Sequence, residues 1–285
     1  MRNMMKVIVP PIKSQGIKTK LIPWIQEVAP CQQGLWIEPF MGTGVVGFNL
    51  ADGEALLCDV NPHLVEFYSQ ILSGQITPQI IRNFLTEEGN KLSKIGQDYY
   101  YEVRKRFNEK KSPLDFLFLN RSGFNGMIRF NSKGEFNIPF CRKNERFVQA
   151  YITKIVNQVT NLLLQFQKCN FTFACQDFKQ TIANAKSDDF LYCDPPYLGR
   201  YADYYNNWTE EHENELFCLL KKFSGKFILS SWHHNDYREN IHLEKYRHSF
   251  NILTKQHYYY VGAKEDNRNS MTEALVTNFD FGKKF

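Results

Sequence analysis

The chain carries the run Phe190-Leu191-Tyr192-Cys193-Asp194-Pro195-Pro196-Tyr197, which decides its fold class. The first four residues form a short apolar run, as is typical of a strand buried in a parallel sheet. Two consecutive prolines continue neither a helix nor a strand ladder, so we expect the strand to end before them. An acid, a rigid turn and an aromatic ring then stand together at the carboxyl end of a strand, where open α/β sheets bind ligands.

This turn suits the binding of a planar ring that carries an exocyclic amine. The ring of Tyr197 offers a stacking face, while the Asp194 carboxylate and the Pro195 carbonyl accept hydrogen bonds from the amine. Adenine, cytosine and a side-chain amide each carry such a group. A plainer interpretation is that the prolines end a strand and the tyrosine packs.

A second indication lies near the amino terminus, where a strand-like run, Leu35-Trp36-Ile37, precedes Glu38-Pro39-Phe40-Met41-Gly42-Thr43-Gly44. The apolar spacing after Gly44 predicts a helix, so this is a strand, a glycine turn and a helix start. The next strand-like run ends in Asp59, which stands 17 residues after Gly42 and is spaced like a ribose-binding carboxylate. The full dinucleotide pattern needs a third glycine at a spacing that is not met.

The spacing of the strand-like runs predicts an α/β protein with a Rossmann-like parallel sheet. These runs occupy residues 34–38, 55–58, 171–175, 190–193 and 226–230, with helix-length segments between them. Asn61-Pro62 and Thr209 supply helix starts. Residues 252–261 and 274–281 are rich in β-formers and predict an antiparallel pair at the sheet edge.

The alternation fails between residues 63 and 149, which we interpret as an inserted second domain. Short helices are expected first, followed by a hairpin over residues 127–140 with its turn at Asn131-Ser132-Lys133-Gly134. We therefore assign residues 1–62 and 150–285 to a catalytic domain and residues 63–149 to a recognition domain.

The two motifs together resemble the S-adenosylmethionine-dependent DNA adenine-N6 methyltransferases of the Dam type, the alpha group or D12 class. The glycine loop precedes the Asp-Pro-Pro-Tyr turn in the chain, as in that group. Further blocks that are similar to the family are Pro10–Lys18, Asn120–Asn131, Gly134–Phe140 and Ser231–Arg238. The first block lacks the tryptophan and double glycine of Dam itself, which favours the EcoRV-like branch of the family.

The resemblance implies a set of catalytic and cofactor-binding residues. The catalytic turn is Asp194, Pro195, Pro196 and Tyr197: the acid and the first prolyl carbonyl accept from the adenine amine, and the tyrosine stacks on the base. The residues expected to bind S-adenosylmethionine are Lys18, Glu38, Phe40, Gly42, Gly44, Asp59, Asp177, Phe178 and Asp194. The resemblance implies neither a metal nor a covalent intermediate.

The resemblance also implies that double-stranded DNA is bound and that the target adenine is turned out of the helix, because its amine is not reachable in line within a duplex. Phe124 and Asn125 match the pair that fills the gap, Arg129 the guanine-reading arginine, and Lys13 a lysine at the outer guanine. The full set of expected DNA contacts is Lys13, Arg121, Phe124, Asn125, Met127, Arg129, Pro139 and Arg142. These matches favour a DNA site that begins with the bases GAT. GATATC is the preferred site and GATC is the second choice.

Charge is concentrated in the same region. The chain has a formal net charge of +5, and residues 101–147 hold eleven basic and five acidic side chains, a local net charge of +6. A one-sided basic lobe is typical of phosphate binding, although such runs are often only a solvated face.

Composition and sequence pattern disfavour a disulfide-bonded, a metal-binding and a membrane-spanning protein. Seven cysteines without a Cys-x-x-Cys pair favour neither a disulfide framework nor a zinc cluster. His233 and His234 are expected to point to opposite sides of a strand, which disfavours a metal pair. No apolar run approaches a membrane span and no signal peptide is evident, so we expect a cytoplasmic protein. Separately, we expect the chain to be a monomer in solution.

Several alternatives stay open at this stage. An RNA adenine or protein amide methyltransferase uses related turns, although Asp rather than Asn at position 194 and the basic hairpin favour duplex DNA. A catalytically idle DNA-binding protein and a dinucleotide-dependent oxidoreductase are disfavoured by the intact turn and by the missing third glycine. The sequence leaves open whether a restriction endonuclease of the same site accompanies the chain. Without such a partner, the chain would be an orphan regulatory methyltransferase.

Overall fold

A computed structural model describes residues 6–198, 208–235, 237–258 and 270–280. Its centre is one seven-stranded sheet in the order β3-β2-β1-β4-β5-β7-β6. The strands are β1 (Trp36–Glu38), β2 (Glu54–Asp59), β3 (Asn170–Cys175), β4 (Phe190–Cys193), β5 (Lys226–Asn235), β6 (Asn251–Tyr258) and β7 (Ser270–Thr277). The first five strands are mutually parallel, and β7 is antiparallel to both β5 and β6. The predicted α/β class with a Rossmann-like sheet is confirmed.

Helices cover both faces of the sheet and fill the long segment between β2 and β3. They are α1 (Ile22–Val28), α2 (Gly47–Leu50), α3 (Pro62–Leu72), α4 (Pro78–Ile95), α5 (Gln97–Lys110), α6 (Pro113–Ser122), α7 (Gln149–Phe166), α8 (Phe178–Ala183), α9 (Glu210–Lys222) and α10 (Glu244–Arg247). The two predicted caps are confirmed: the Asn61 side chain accepts from the His63 N–H, and Thr209 forms a capping box with His212. No helix in the described ranges is long and apolar enough to cross a bilayer.

The helical segment and one face of the sheet share a continuous apolar core. Trp36 of β1 and Tyr192 of β4 belong to it, as do Tyr100 of α5 and Phe118 of α6. The opposite face of the sheet packs against α8, α9 and α10 in a second, smaller core. Burial on both faces explains why the strands are apolar runs and not alternating ones.

A buried ion-pair network holds α4, α5 and α6 together. The Arg106 guanidinium donates to Glu88 of α4 at 2.6 Å and to Asp115 of α6 at 2.9 Å, and both acids are almost fully buried. The Tyr99 hydroxyl donates to the same Glu88 oxygen, Oε2, at 2.8 Å. Replacing Arg106 would leave two buried carboxylates without their shared cation, so we expect that change to be strongly destabilising.

The predicted hairpin is present as an irregular one. Isolated bridges join Phe130 to Phe136 and Gly123 to Phe140, and the Asn131–Gly134 turn is closed by the Gly134 N–H on the Asn131 carbonyl at 2.9 Å. Gly134 takes a φ of +72°, which glycine adopts without strain. The structure assigns no regular strand to this hairpin; isolated backbone bonds, such as Asn137 N–H to the Arg129 carbonyl, and side-chain bonds hold it together.

One prediction on the elements is corrected: the helix expected after Gly44 is a single turn, α2, which is too short to offer the anion-binding helix end that the glycine turn suggested. The predicted antiparallel pair at the sheet edge is confirmed, with β7 lying between β5 and β6. Residues 259–261 and 281 of the predicted pair lie outside the described residues.

Candidate active site

The site lies where the strand order reverses, between β1 and β4. These neighbouring parallel strands end at Glu38 and just before Asp194, so both acids reach one edge of the sheet. A cavity of about 360 Å³ opens there, which is a usual size for a ligand pocket. Its lining includes the N-terminal block, the glycine loop and the catalytic turn: Ser14, Gln15, Gly16, Ile17, Lys18, Glu38, Phe40, Met41, Gly42, Thr43, Val45, Val46, Tyr192, Asp194, Pro195 and Tyr197.

The glycine loop is shaped for close approach of a ligand. Gly42 has a φ of +53°, and a Cβ built on it would meet no atom within 4 Å. A Cβ on Gly44, whose φ is +73°, would instead lie 2.4 Å from the ring of Phe48. Gly42 therefore leaves open space at the cavity, whereas Gly44 is required by packing behind the loop.

Asp59 holds the loop in place. Its Oδ2 accepts from the Gly42 N–H and its Oδ1 from the Asn61 N–H, each at 2.8 Å. Burial raises the pKa of the Asp59 carboxyl, and these two backbone hydrogen bonds oppose that rise. The acid does not border the cavity directly, so contact with a ribose stays a prediction and not an observation.

An aromatic cluster stands beside the loop, at the predicted Asp177-Phe178 position. Phe40 stacks on Phe178 with ring centroids 5.3 Å apart and meets Trp208 edge-on at 5.4 Å. The Asp177 side chain caps α8 by accepting from the Lys179 N–H. Phe178 itself is buried among these rings, so only Phe40 of the cluster borders the cavity.

The catalytic turn is tied to the N-terminal block by an ion pair. The Lys18 ammonium lies 2.9 Å from Asp194 Oδ2, donates to the Gly16 carbonyl at 3.2 Å, and sits 5.0 Å from the centroid of the Tyr197 ring. Burial raises the pKa of the Asp194 carboxyl, and Lys18 opposes the rise. The Lys18 side chain is 4% exposed and that of Asp194 is 23% exposed, so the cation of this pair is shielded from solvent while the carboxylate stays accessible.

Glu38 is the second acid of the cavity and is only 1% exposed. Its Oε1 accepts from the Trp36 indole N–H at 3.0 Å. Burial raises the pKa of Glu38 to about 8, against the effect of that hydrogen bond, and the nearby Asp194 charge adds to the rise. A cation in the cavity would favour the ionised form of this acid.

The predicted base-eversion pair lies on a tight turn that displays it to solvent. Phe124 is 50% exposed, and Asn125 is exposed with a left-handed φ of +53°. The Phe124 N–H donates to the Pro139 carbonyl at 2.9 Å, which fixes the turn on the hairpin. A large apolar ring held out on a rigid turn is the geometry that insertion into a base stack needs.

Buried Asn120 joins this turn to the N-terminal block. Its amide accepts from the Lys13 N–H at 2.8 Å and donates to the carbonyls of Lys13 and Gly126 at 2.9 and 3.1 Å. The block that ends at Lys18 in the cavity thus begins against the Phe124–Gly126 turn. One stretch of chain contacts both the predicted DNA surface and the catalytic acid.

The remaining predicted readers lie along the hairpin. The Arg129 guanidinium donates from Nε to Asn137 Oδ1 at 2.7 Å, which orients it across the hairpin. Met127 is half-buried, whereas Pro139 and Arg142 are exposed, and Arg142 takes a left-handed φ of +57°. These positions are compatible with one continuous reading surface.

Arg121 departs from its predicted place at the DNA surface. It is 1% exposed, its Nη1 donates to the Pro11 carbonyl at 2.9 Å, and its guanidinium lies 4.8 Å from the Tyr151 ring. Lys13 and Arg146 face the same ring. Arg121 therefore supports the N-terminal block from inside, because α6 is buried on all sides from Asp115 to Ser122 and leaves no exposed face for its side chain.

The two histidines also depart from expectation. A register shift between Trp232 and His234 breaks the alternation of β5, and the Nδ1 atoms of His233 and His234 lie 2.8 Å apart. The expected opposite orientation is wrong for this reason. Among the described residues, no group of three or more His, Cys, Asp or Glu side chains is arranged to hold a metal.

Four residues at the site had no role in the sequence analysis: Trp208, Asn120, Asn137 and Glu273. Asn120 and Asn137 lie inside blocks that were quoted, but a buried amide that clamps backbone has no sequence signature. Trp208 and Glu273 are brought in by tertiary packing from distant positions. Only their residue types, a lone tryptophan before a helix cap and an acid in an apolar strand, offered a signal.

Comparison with known families agrees with this geometry. Residues 14–261 match the family model described as D12 class N6 adenine-specific DNA methyltransferase. The chain belongs to this family. The matched residues include the glycine loop at Gly42 and Gly44, the Phe124–Gly126 turn and the Asp-Pro-Pro-Tyr turn at residues 194–197.

Individual relatives are similar over different lengths. A DNA adenine methylase of Haemophilus influenzae is 34% identical over 196 residues, which is 66% of this chain and 63% of that protein. The type II methyltransferase M1.LlaDCHI of Lactococcus lactis subsp. cremoris is 27% identical and covers 94% of both chains. A solved rRNA methyltransferase, aviRa from Streptomyces viridochromogenes, shares 10% identity at a TM-score of 0.38, over 97% of this chain and 91% of that one.

The cofactor of this D12 class methyltransferase is S-adenosylmethionine, as the sequence predicted. The cavity fits the group by its chemistry and its space. The acids Glu38 and Asp194 suit the sulfonium and the amino group, Lys18 suits the carboxylate, and the open room at Gly42 admits a ligand against the backbone.

Proposed function

We propose that the chain transfers a methyl group from S-adenosylmethionine to N6 of an adenine in duplex DNA. The observation that carries the proposal is the shared cavity: Asp194, Pro195 and Tyr197 border the same space as Gly42 of the cofactor loop. Acceptors for an amine and a binding site for a methyl donor thus face each other. The family match supports adenine as the base.

The amine of adenine is a poor nucleophile, because its lone pair is delocalised into the ring. Two acceptors on its hydrogens, the Asp194 carboxylate and the Pro195 carbonyl, favour the pyramidal nitrogen that the transition state requires. When bound, S-adenosylmethionine supplies an electrophilic methyl group next to a positive sulfur. Alignment of the amine is then the main task of these residues, with the base stacked on Tyr197 and water largely excluded.

The base has to leave the helix to reach this cavity, at a cost of a few kcal/mol for unstacking and unpairing. Exposed Phe124 and Asn125 support the proposal that this turn enters the duplex and fills the gap. Burial of an exposed phenyl ring against the neighbouring bases would offset part of the cost.

We further propose that residues 63–149 form the recognition domain, with Arg129, Met127, Pro139 and Arg142 reading bases and Lys13 at the outer guanine. Arginine makes bidentate contacts with guanine in the major groove. We propose GATATC as the preferred site, on the resemblance to the EcoRV-like branch, and GATC as the next. We also propose that the chain is a monomer in solution. A restriction endonuclease of the same site, if present, would act without contacting it.

The test is methyl transfer from labelled S-adenosylmethionine by the purified chain to duplex DNA, single-stranded DNA and RNA, followed by nucleoside analysis. The expected product is N6-methyladenine in duplex DNA. Sequencing of plasmid DNA from expressing cells, with detection of modified adenines, identifies the site. Label found only in RNA or protein would contradict the proposal.

Asp194→Ala is the matched variant for the mechanism. It should abolish transfer while cofactor and DNA binding stay largely intact, because Asp194 acts mainly in the transition state and Glu38 and Lys18 still border the cavity. Turnover by this variant at the original rate would remove Asp194 from the catalytic role.

A further inference from the structure

Glu273 is an acid buried in the sheet beside the catalytic turn. It lies in β7 directly opposite Trp232 of β5 and is 0% exposed. Residues paired across strands, and residues two apart along a strand, share a face of the sheet. By this rule Glu273 shares the face of Trp232, Ser230 and Tyr192, and Asp194 follows Tyr192 on the same side.

A single hydroxyl connects Glu273 to the catalytic acid. The Tyr197 Oη lies 3.4 Å from Glu273 Oε2 and 3.4 Å from Asp194 Oδ1. A tyrosine hydroxyl has one proton to donate, so the two carboxylates compete for it. If Tyr197 donates to Asp194, it occupies an oxygen that the adenine amine needs; if it donates to Glu273, that oxygen is free.

Two neighbouring charges, those of Lys18 and Glu273, act on the Asp194 carboxylate. Lys18 pairs with Asp194 Oδ2 at 2.9 Å, on the other carboxylate oxygen. The charge on Glu273 also contributes to the raised pKa of Asp194, which places the two acids in electrostatic contact.

We propose that Glu273 is a positioning residue for methyl transfer: it accepts a hydrogen bond from the Tyr197 hydroxyl, holds the ring in its stacking orientation and leaves Asp194 Oδ1 to the amine of the base. This inference rests on the proposed function. Glu273 acts through Tyr197 and does not contact the reacting atoms. The position of a carboxylate on β7, outside all the motifs of the sequence, is explained by this task.

The test is a double-mutant cycle between Glu273→Ala and Tyr197→Phe, measured as the single-turnover rate of methyl transfer with saturating DNA and cofactor. In the presence of the Tyr197 hydroxyl, Glu273→Ala should lower the rate about tenfold or more. In the Tyr197→Phe background the same change should alter the rate by less than about twofold, because the hydroxyl it acts on is gone. The apparent affinities for DNA and cofactor should be nearly unchanged in both backgrounds.

Two further variants keep the test decisive. Glu273→Gln preserves volume and an accepting oxygen, so it should fold and retain a rate within about threefold of the original. Thr277→Val removes a buried hydroxyl from the same strand away from the site and should leave the rate unchanged. It serves as the control for general damage to β7.

The outcomes separate the two proposals. A chain that methylates no adenine in any duplex contradicts the proposed function itself. If the original chain is active but Glu273→Ala is equally active, or costs the same factor in both backgrounds, only the role of Glu273 is overturned. A tenfold loss in Glu273→Gln would likewise overturn it, because the amide oxygen of that variant still accepts a hydrogen bond from the Tyr197 hydroxyl.

Discussion

At the scale of single residues, the ionisation of Asp194, the predicted catalytic acid, depends on its burial and on its charged neighbours. Asp194 was predicted from sequence as the acceptor for an amine, and the structure places it at the cavity. Lys18 was predicted to contact the cofactor; in the structure it forms an ion pair with Asp194 at 2.9 Å. Nothing in the spacing of residues 18 and 194 could predict that contact, because it depends on how the N-terminal block crosses the sheet edge.

The Lys18 contact predicts a change in pH dependence. Burial raises the pKa of Asp194 and Lys18 lowers it, so Lys18→Met should raise it further. The carboxylate would then be lost at a higher pH, and the acid limb of kcat/KM for DNA should move upward by roughly 1–3 pH units. The measurement is a pH–rate profile at saturating cofactor. Lys18→Arg keeps the charge and should leave the limb in place; an unmoved limb in Lys18→Met would contradict the pairing.

Arg129 and Asn137 give a second prediction at this scale. Asn137 orients the Arg129 guanidinium across the hairpin, so Asn137→Ala should relax discrimination at one base as Arg129→Ala does, each by about 1–3 kcal/mol. The measurement is kcat/KM on duplexes that differ at one base pair. Ser132→Ala, at the exposed tip of the same hairpin, is the control and should change nothing. Unaltered site preference in both variants would remove Arg129 from the readers.

At the scale of elements, strands were predicted better than the pieces between them. All five parallel strands were found because each is a short apolar run bounded by breakers, a local property of the sequence. The helix after Gly44 ended at Leu50 and the hairpin formed no regular strands, because tertiary packing and side-chain bonds override propensity there. The bulge in β5, which turns His233 and His234 together, has no local signal either.

The junction between α3 and the hairpin predicts a pH effect on stability. His63 of α3 stacks on Phe130 of the hairpin at 5.0 Å and meets Phe107 edge-on, and burial lowers its pKa to about 4. Between pH 6.5 and 4, the histidine of the unfolded chain, whose pKa is near 6.5, binds a proton, whereas His63 of the folded chain stays neutral. Stability is therefore full above pH 6.5 and falls between about pH 6.5 and 4, by up to about 3 kcal/mol.

His63→Phe should remove that fall while keeping an aromatic ring in the core. The measurement is denaturant unfolding between pH 4.5 and 7.5, compared with His248→Gln, which changes an exposed histidine. An unchanged pH slope in His63→Phe would show that His63 is not the group responsible.

At the scale of the whole molecule, charge separates the chain into two regions. The excess positive charge lies in residues 101–147, as the sequence showed, but the structure reduces the part that is free for DNA. Arg106 is committed to Glu88 and Asp115, and Arg121 is buried. Exposed Lys133, Arg142 and Lys143 remain on the hairpin side. Counting charges from sequence therefore overestimates the phosphate contacts.

DNA affinity should fall steeply with salt, and Lys133→Ala and Lys143→Ala should each lower the log–log salt slope by about 1 if each lysine meets a phosphate. The measurement is a binding titration across salt concentrations on specific and random duplexes. Each lysine substitution should lower the affinity for both kinds of duplex by the same factor. Lys222→Ala on the exposed side of α9 is the control. A slope that does not respond to either hairpin lysine would place the phosphate surface elsewhere.

The clamp that Asn120 makes on Lys13 has a consequence for how the molecule tells one DNA sequence from another. Only four residues of covalent chain separate Lys13, which Asn120 clamps, from Lys18, whose ammonium pairs with Asp194. A duplex that seats the Phe124 turn poorly would thereby displace the catalytic pair as well. We expect a wrong base pair to be penalised chiefly in the velocity of the chemical step, with a smaller loss in equilibrium binding. Parallel measurement of kcat and Kd on singly altered duplexes distinguishes this coupling from discrimination by affinity alone.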